Sequence, residues 1–405
     1  MEFEPSDRAK ELSGQVREFM DAHIYPNEMA IEKALDDEVN AETPFPQILV
    51  DIRAKAKAEG LWNLFLPDEE DGPGLSNLDY GIINEEIGRC TIPAAYAFNC
   101  QPPDSGNMEI LVEHASPEQR ERWLYPLLEG EIRSCFSMTE PETSGSDPTG
   151  LACRAVRDGD EWVINGRKWW TTNALGAALA IVMTVTDPEE KPHSRATMLL
   201  VPTDTPGFNL VRPLSNMGHV EGPGHWEIAY EDCRVPVEAS TLNEVGSGFK
   251  VAQDRLGPGR IHHCMRLIGV AERALEMMCE RASQREMFGT KLSERQFVQD
   301  FIATSRAEID QARLLTLHAA WRLDEVGNRA ARRELSVTKL VVPTMALNVV
   351  DRAIQVWGGA GVSEDTPLSW MYRYNRMLKI GDGADEVHKQ VIARMELKKS
   401  QEVRV

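Results

Sequence analysis

No two of the seven cysteines in this 405-residue chain form a CxxC pair. Cys90, Cys100, Cys135, Cys153, Cys233, Cys264 and Cys279 are dispersed and odd in number. That argues against a disulfide scaffold or a structural zinc, and it suits a reducing compartment. Basic residues are also short: 44 Lys and Arg against 64 Asp and Glu leave a formal charge of −20. Such a surface repels phosphate backbones and anionic lipid heads. Neither nucleic acid nor a membrane is an expected partner, and an anionic ligand would need a local basic or dipolar site. No apolar run approaches membrane-spanning length. The opening MEFEPSDRAKEL reads neither as a signal peptide nor as a basic transit peptide, so the cytoplasm is the expected location. No GxGxxG follows a strand, and neither GxxxxGKS nor GxxxxGKT occurs, so the common nicotinamide and nucleoside triphosphate sites are not indicated.

What is present is a globular composition, 42% apolar and 27% charged, in three regions. Residues 1–135 read as helices, with apolar residues at three- and four-residue spacings in PQILVDIRAKAKAEGLWNL and NLDYGIINEEIGRC. Ser116 with Glu118-Gln119 suits a helix start. Residues 136–242 change to alternating patterns rich in Val, Ile, Trp and Thr. Asp158-Gly159 and Asn165-Gly166 read as tight turns between short strands, predicting an antiparallel barrel or sandwich. Residues 243–405 return to long helices that predict a four-helix bundle, with a kink or a new helix start near Pro343. The fold class is therefore α+β and multidomain: helices, then a β domain, then a helical bundle.

Four stretches could carry chemistry, and each has an ordinary structural alternative. CFSMTEPETSGSDPTG could bind an anion or polar ring through backbone N–H groups, or be a solvated linker. In KWWTTN, Trp169 and Trp170 should point to opposite faces of a strand. One could lie against a flat ligand, or both could be core. QVWGGAGV could admit a phosphate close to its backbone, or be a helix C-cap. In KIGDGADEVHKQ, Asp382 could be a general base or a helix cap, a role for which Asp385 competes. His262 and His263 have no carboxylate or cysteine at helical ligand spacing, so no metal site is expected.

Taken together, TEP…GSD, NGRKWWTTN, RxxFG…Q and QVWGGAG, in this order and at these separations, resemble the acyl-CoA dehydrogenase family along nearly the whole chain. The resemblance implies bound FAD and α,β-dehydrogenation of an acyl-CoA thioester. Phe136, Met138, Thr139, Gly145 and Ser146 match its flavin-contacting loop, with Ser146 also on the substrate side. Trp170 and Thr172 match the strand along the flavin ring. Arg285, Phe288 and Gln296 match residues that reach the adenosine half of FAD in a neighbouring subunit, and Gln355, Gly358 and Gly359 match the approach to its pyrophosphate. Ala384 and Glu386 match further cofactor positions. That sharing implies a homodimer or homotetramer.

Asp382 falls where most of the family has a catalytic glutamate, as in a subgroup that uses Asp. Arg260, Gly381 and Gly383 match substrate-side positions. Gly381 replaces a frequent aromatic, Gly257 and Gly259 replace the usual Asp and Thr, and the TEPETSGSD loop is one residue longer than the common form. An electron-transfer flavoprotein is the implied acceptor. Within the same fold, an acyl-CoA or nitroalkane oxidase is the alternative, although the nitroalkane enzymes carry an arginine where Lys389 stands. A DNA-associated flavoprotein would need a basic face, and the lysines of ELKKSQEVRV read more simply as a solvated helix end.

Overall fold

The computed structural model describes residues 3–40, 42–220 and 222–402. Met1, Glu2, Ala41, Glu221 and Val403 to Val405, which include the ends of the two terminal stretches read above, lie outside the described residues. The chain forms two compact units. One comprises Met1–Ala22, Leu75–Ala94 and Gly257–Val405, the other His23–Gly74 and Ala95–Leu256. Among the described residues, no helix is long and apolar enough to cross a membrane.

The second unit is built on an eight-stranded sheet. Its strands are β1 (Ser134–Ser137), β2 (Arg154–Asp158), β3 (Glu161–Thr172), β4 (Leu179–Val185), β5 (Ala196–Pro202), β6 (Phe208–Leu214), β7 (His225–Pro236) and β8 (Thr241–Leu242). The order is β6-β7-β3-β2-β4-β5-β8, with β1 also on β4. Alternate residues such as Ala180 and Val182, Leu199 and Val201, and Ile228 and Tyr230 fill one core, as the two-residue period of a strand requires. The sheet is not wholly antiparallel as expected. Strand β4 pairs in parallel with β1 from Ser134↔Leu179 to Ser137↔Val182, and with β2 at Arg154↔Val185. The long excursion between β1 and β4 supplies the crossover that a parallel pair needs.

Asp158-Gly159 makes the expected turn between β2 and β3, with Gly159 at φ +63°. Asn165-Gly166 does not. It lies inside β3, where the pairing with β7 shifts register between Ile164 and Gly166. A Cβ at Gly166 would come 2.7 Å from Cys153 Cα, so the glycine serves a bulge and a close backbone approach.

In the first unit, helices Asp7–Phe19 and Asn77–Gly88 join the C-terminal helices Gln296–Ala330, Arg332–Trp357, Leu368–Leu378 and Asp385–Glu402. Most of the helix Gly248–Gln284 also belongs here. Ile268, Ala271, Leu275 and Met278 enter its core with Val342, Ala346, Val349 and Met371. Helix Arg332–Trp357 runs through Pro343 without a break or a new start. Gly88 and Gly269 mark a backbone-to-backbone crossing of two helices. A Cβ at Gly269 would sit 2.0 Å from the Glu85 carbonyl oxygen, and one at Gly88 would sit 2.2 Å from that of Arg266. In the second unit Ser116 starts a helix as expected, in a capping box with Gln119.

Candidate active site

The β unit brings the loop after β1 against the C-terminal half of β3. Thr139 Oγ1 donates to the Trp169 carbonyl at 2.7 Å, and Trp169 N donates to the Thr139 carbonyl at 3.0 Å. Lys168, with no exposed surface, donates to the Met138 carbonyl and to Glu140 Oε1, both at 2.8 Å. The Glu140 carboxylate also accepts from Ala152 N at 2.7 Å and Cys153 N at 2.9 Å. A buried ion pair that is also hydrogen-bonded on both sides fixes the two ends of the loop. Met138 and Thr139 are thereby held against β3, and Gly145 and Ser146 further along the same loop are exposed. A Cβ on Gly145 would lie 3.0 Å from Thr139 Cγ2. Phe136 lies under the Arg255 guanidinium, 4.1 Å from its ring centre, and Arg255 Nε donates to Asn107 Oδ1 at 3.1 Å.

Trp169 and Trp170 do not face opposite ways as a regular strand would demand. A second register shift falls between Lys168 and Thr171, and Trp170 has a left-handed backbone at φ +52°. The two indoles meet edge to face with centres 6.3 Å apart. The bulge leaves 38% of Trp170 exposed. Trp170 also lies 5.2 Å from His225, whose Nδ1 is 2.9 Å from Thr172 Oγ1. Burial pushes the His225 imidazole down to about 4, so the ring is neutral near pH 7.

The helical unit places Asp382 in the loop before helix Asp385–Glu402, at φ +55°, with Gly383 at +112°. Aspartate tolerates this region better than most residues do. The Asp382 side chain is 24% exposed, and its Oδ2 lies 3.1 Å from His263 Nε2. Arg260 Nε donates to the Asp382 carbonyl at 3.0 Å. Lys339, wholly buried, donates to the carbonyls of Leu378 at 2.5 Å and Gly381 at 2.9 Å. Burial lowers both Arg260 and Lys339 from their usual values, and the Asp382 carboxylate opposes that shift in each. A Cβ on Gly383 would come 2.8 Å from His388 Nε2. His388 is pushed down to about 4, mainly by burial and then by Arg260 and Lys339. Asp385, the competing cap, instead pairs with Lys379 at 2.8 Å.

The remaining expected cofactor residues are at the surface of the helical unit. Phe288 is 90% exposed at the tip of the hairpin Glu286–Met287/Thr290–Lys291. Arg285 and Gln296 flank that hairpin and are exposed. Gln355, Gly358 and Gly359 are exposed where helix Arg332–Trp357 ends. Gly358 is its C-cap at φ +65°, so the cap alternative holds as geometry. Ala384 sits half-buried beside Asp382, while Glu386 is exposed and 3.6 Å from Lys389. The sequence reading missed His263 as a neighbour of Asp382. It considered the histidine only as a metal ligand, yet Arg260, His263 and Arg266 form a polar strip at three-residue spacing that a buried helix face rarely carries.

Three family descriptions match successive parts of the chain. They are acyl-CoA dehydrogenase N-terminal domain over residues 6–131, middle domain over 135–233 and C-terminal domain over 246–397. The chain is 49% identical over 402 residues to acyl-CoA dehydrogenase family member 11 of Gallus gallus, covering 98% of this chain and 51% of the relative. It thus spans about half the length of several curated relatives that it matches. It is 47% identical to the Mycobacterium tuberculosis protein described as probable acyl-CoA dehydrogenase FadE2, over 98% of this chain and 97% of that one. A solved structure described as a putative acyl-CoA dehydrogenase from Mycobacterium abscessus superposes with TM-score 0.93 at 48% identity, covering 98% of this chain and all of that one.

Proposed function

The chain belongs to the acyl-CoA dehydrogenase family, and we propose that it is an FAD-dependent oxidoreductase that dehydrogenates an acyl-CoA thioester between carbons α and β. The residues present fit the cofactor. The half-exposed Trp170 indole, the Thr139 and Thr172 hydroxyls and the backbone of residues 138–146 offer one flat apolar face and several polar groups. That combination suits a planar heteroaromatic ring with a polar edge. Phe136, Met138, Gly145, Ser146, Ala384 and Glu386 complete the proposed flavin contacts. Arg285, Phe288, Gln296, Gln355, Gly358 and Gly359 would meet FAD held mainly by another copy of the chain, which makes a dimer or tetramer the working unit. FAD, when bound, accepts the hydride from the β-carbon.

The chain's own part is the proton. Asp382 takes the α-proton, while Arg260, Gly381 and Gly383 line the thioester side. Preorganised donors must stabilise the oxygen on which negative charge develops. The observation that carries this reading is the carboxylate itself, lodged between two glycines in a loop that Arg260 and Lys339 hold by its carbonyls. Such anchoring aims a short side chain more firmly than a cap requires. An electron-transfer flavoprotein is the proposed electron acceptor. Asp382→Asn is the test: bleaching of the bound flavin by acyl-CoA without oxygen should slow by several powers of ten, with flavin still bound. Undiminished bleaching would remove Asp382 from the chemistry. A panel of acyl groups of differing length and branching would define the substrate in the same assay.

A further inference from the structure

We propose that His263 is a positioning residue that holds one oxygen of the Asp382 carboxylate as a neutral hydrogen-bond donor. The other oxygen then takes the substrate proton, so the proposal rests on the dehydrogenase reading above. The tautomer follows from the neighbours. Arg266 Nη2 lies 3.1 Å from His263 Nδ1. Guanidinium nitrogens only donate, so Nδ1 presents its lone pair, and the single ring proton sits on Nε2. That is the nitrogen 3.1 Å from Asp382 Oδ2. Arg266 is 2% exposed and the His263 side chain 13%, so neither readily swings away. Burial lowers the His263 imidazole, and the Arg266 and Lys339 cations act in the same direction against Asp382. A doubly protonated ring would set an N–H against the Arg266 N–H groups.

The pair is therefore no proton relay. In the proton-transfer step the α-carbon–hydrogen bond breaks, its electrons stay on the substrate carbon, and an O–H bond forms at Asp382 Oδ1. His263 neither gains nor loses a proton. Its contribution is aim: with Oδ2 tied to the helix and the backbone carbonyl tied to Arg260, the short carboxylate has one orientation. Charged and titratable groups surround the pair on every side. They are Arg260, His262, Cys264 and Arg266 on the same helix, Arg332 and Lys339 on a second, and Asp385 and His388 beyond the loop.

The test follows wash-in of solvent deuterium at the α-carbon of an acyl-CoA by the holoenzyme, which reports proton transfer without hydride transfer. His263→Leu should slow wash-in about 100-fold, the cost of misplacing a reacting group by about 1 Å, and should move the acidic limb of its pH profile to higher pH. His263→Gln, which restores a donor, should recover to within about tenfold of the wild type. Equal rates for Leu and wild type, or Gln no better than Leu, would overturn the proposal. Should the Leu variant not fold, the imidazole 15N spectrum of the wild-type holoenzyme decides. His263 must be protonated at Nε2 alone, and an Nδ1-protonated or doubly protonated ring sinks the idea. If Asp382→Asn still exchanges, the assignment of the base fails instead, and the two failures are told apart.

Discussion

His225 should make the protein acid-sensitive by a calculable amount. The imidazole is 8% exposed and pushed down to about 4 by burial, from an ordinary value of 6.5. The native state therefore stays unprotonated at this ring until pH approaches 4, whereas the unfolded chain takes up a proton from about 6.5 downward. Between those limits the unfolded state binds more protons, so stability falls as pH falls. The penalty is absent above pH ~6.5, reaches about 2 kcal/mol at pH 5, and levels off near 3 kcal/mol below pH ~4.

His225→Gln keeps a group able to hydrogen-bond the Thr172 hydroxyl and removes the titration. Its urea unfolding curve, followed by tryptophan fluorescence with refolding confirmed, should lose about 2 kcal/mol less than the wild type between pH 7 and pH 5. His388 is also held near 4, and it contributes equally to both proteins, so it cancels. Parallel losses in the two proteins would mean that the His225 ring is solvated or charged in the native state, and the linkage reasoning would be wrong.

Three other substitutions probe the helical unit. Gly269→Ala should cost about 3 kcal/mol or more by driving a methyl group into the Glu85 carbonyl; a midpoint within a few tenths of a molar urea of the wild type would show that the crossing has slack. Arg313→Met should cost about 3 kcal/mol, because it leaves Glu85 and Glu272 without the guanidinium they share. Adding Glu85→Gln should return part of that in a double-mutant cycle, and simple additivity would deny the coupling. Lys339→Met should strip the donors from the Leu378 and Gly381 carbonyls. Deuterium wash-in should fall about tenfold or more, with flavin content unchanged; an unaltered rate would mean that the Asp382 loop keeps its shape unaided.

The parts of this molecule legible in the sequence were those whose cause is local. Ser116 and Gln119 satisfy each other's backbone donors within one turn, and Asp158-Gly159 closes β2 onto β3 with no help from elsewhere. The same turn chemistry misled at Asn165-Gly166, because a positive φ serves a bulge as readily as a hairpin. What decides between them is β7, from Cys233 to Tyr230, a partner supplied far down the chain. The two tryptophans failed for a related reason. Alternation of faces holds only while both strands keep step, and the slip between Lys168 and Thr171 turns neighbours that should diverge into a contacting pair with one exposed ring. At Asp382 the flanking glycines were visible, and alone they favoured a helix cap. What favours the proposed base is three-dimensional: two cations bonded to the loop's carbonyls, and an imidazole that meets Arg266 with one nitrogen and faces the carboxylate with the other. The proposed role of Asp382 thus rests less on the acid than on the donors arranged behind it, and those donors come from two other helices, whose approach no one-dimensional spacing records.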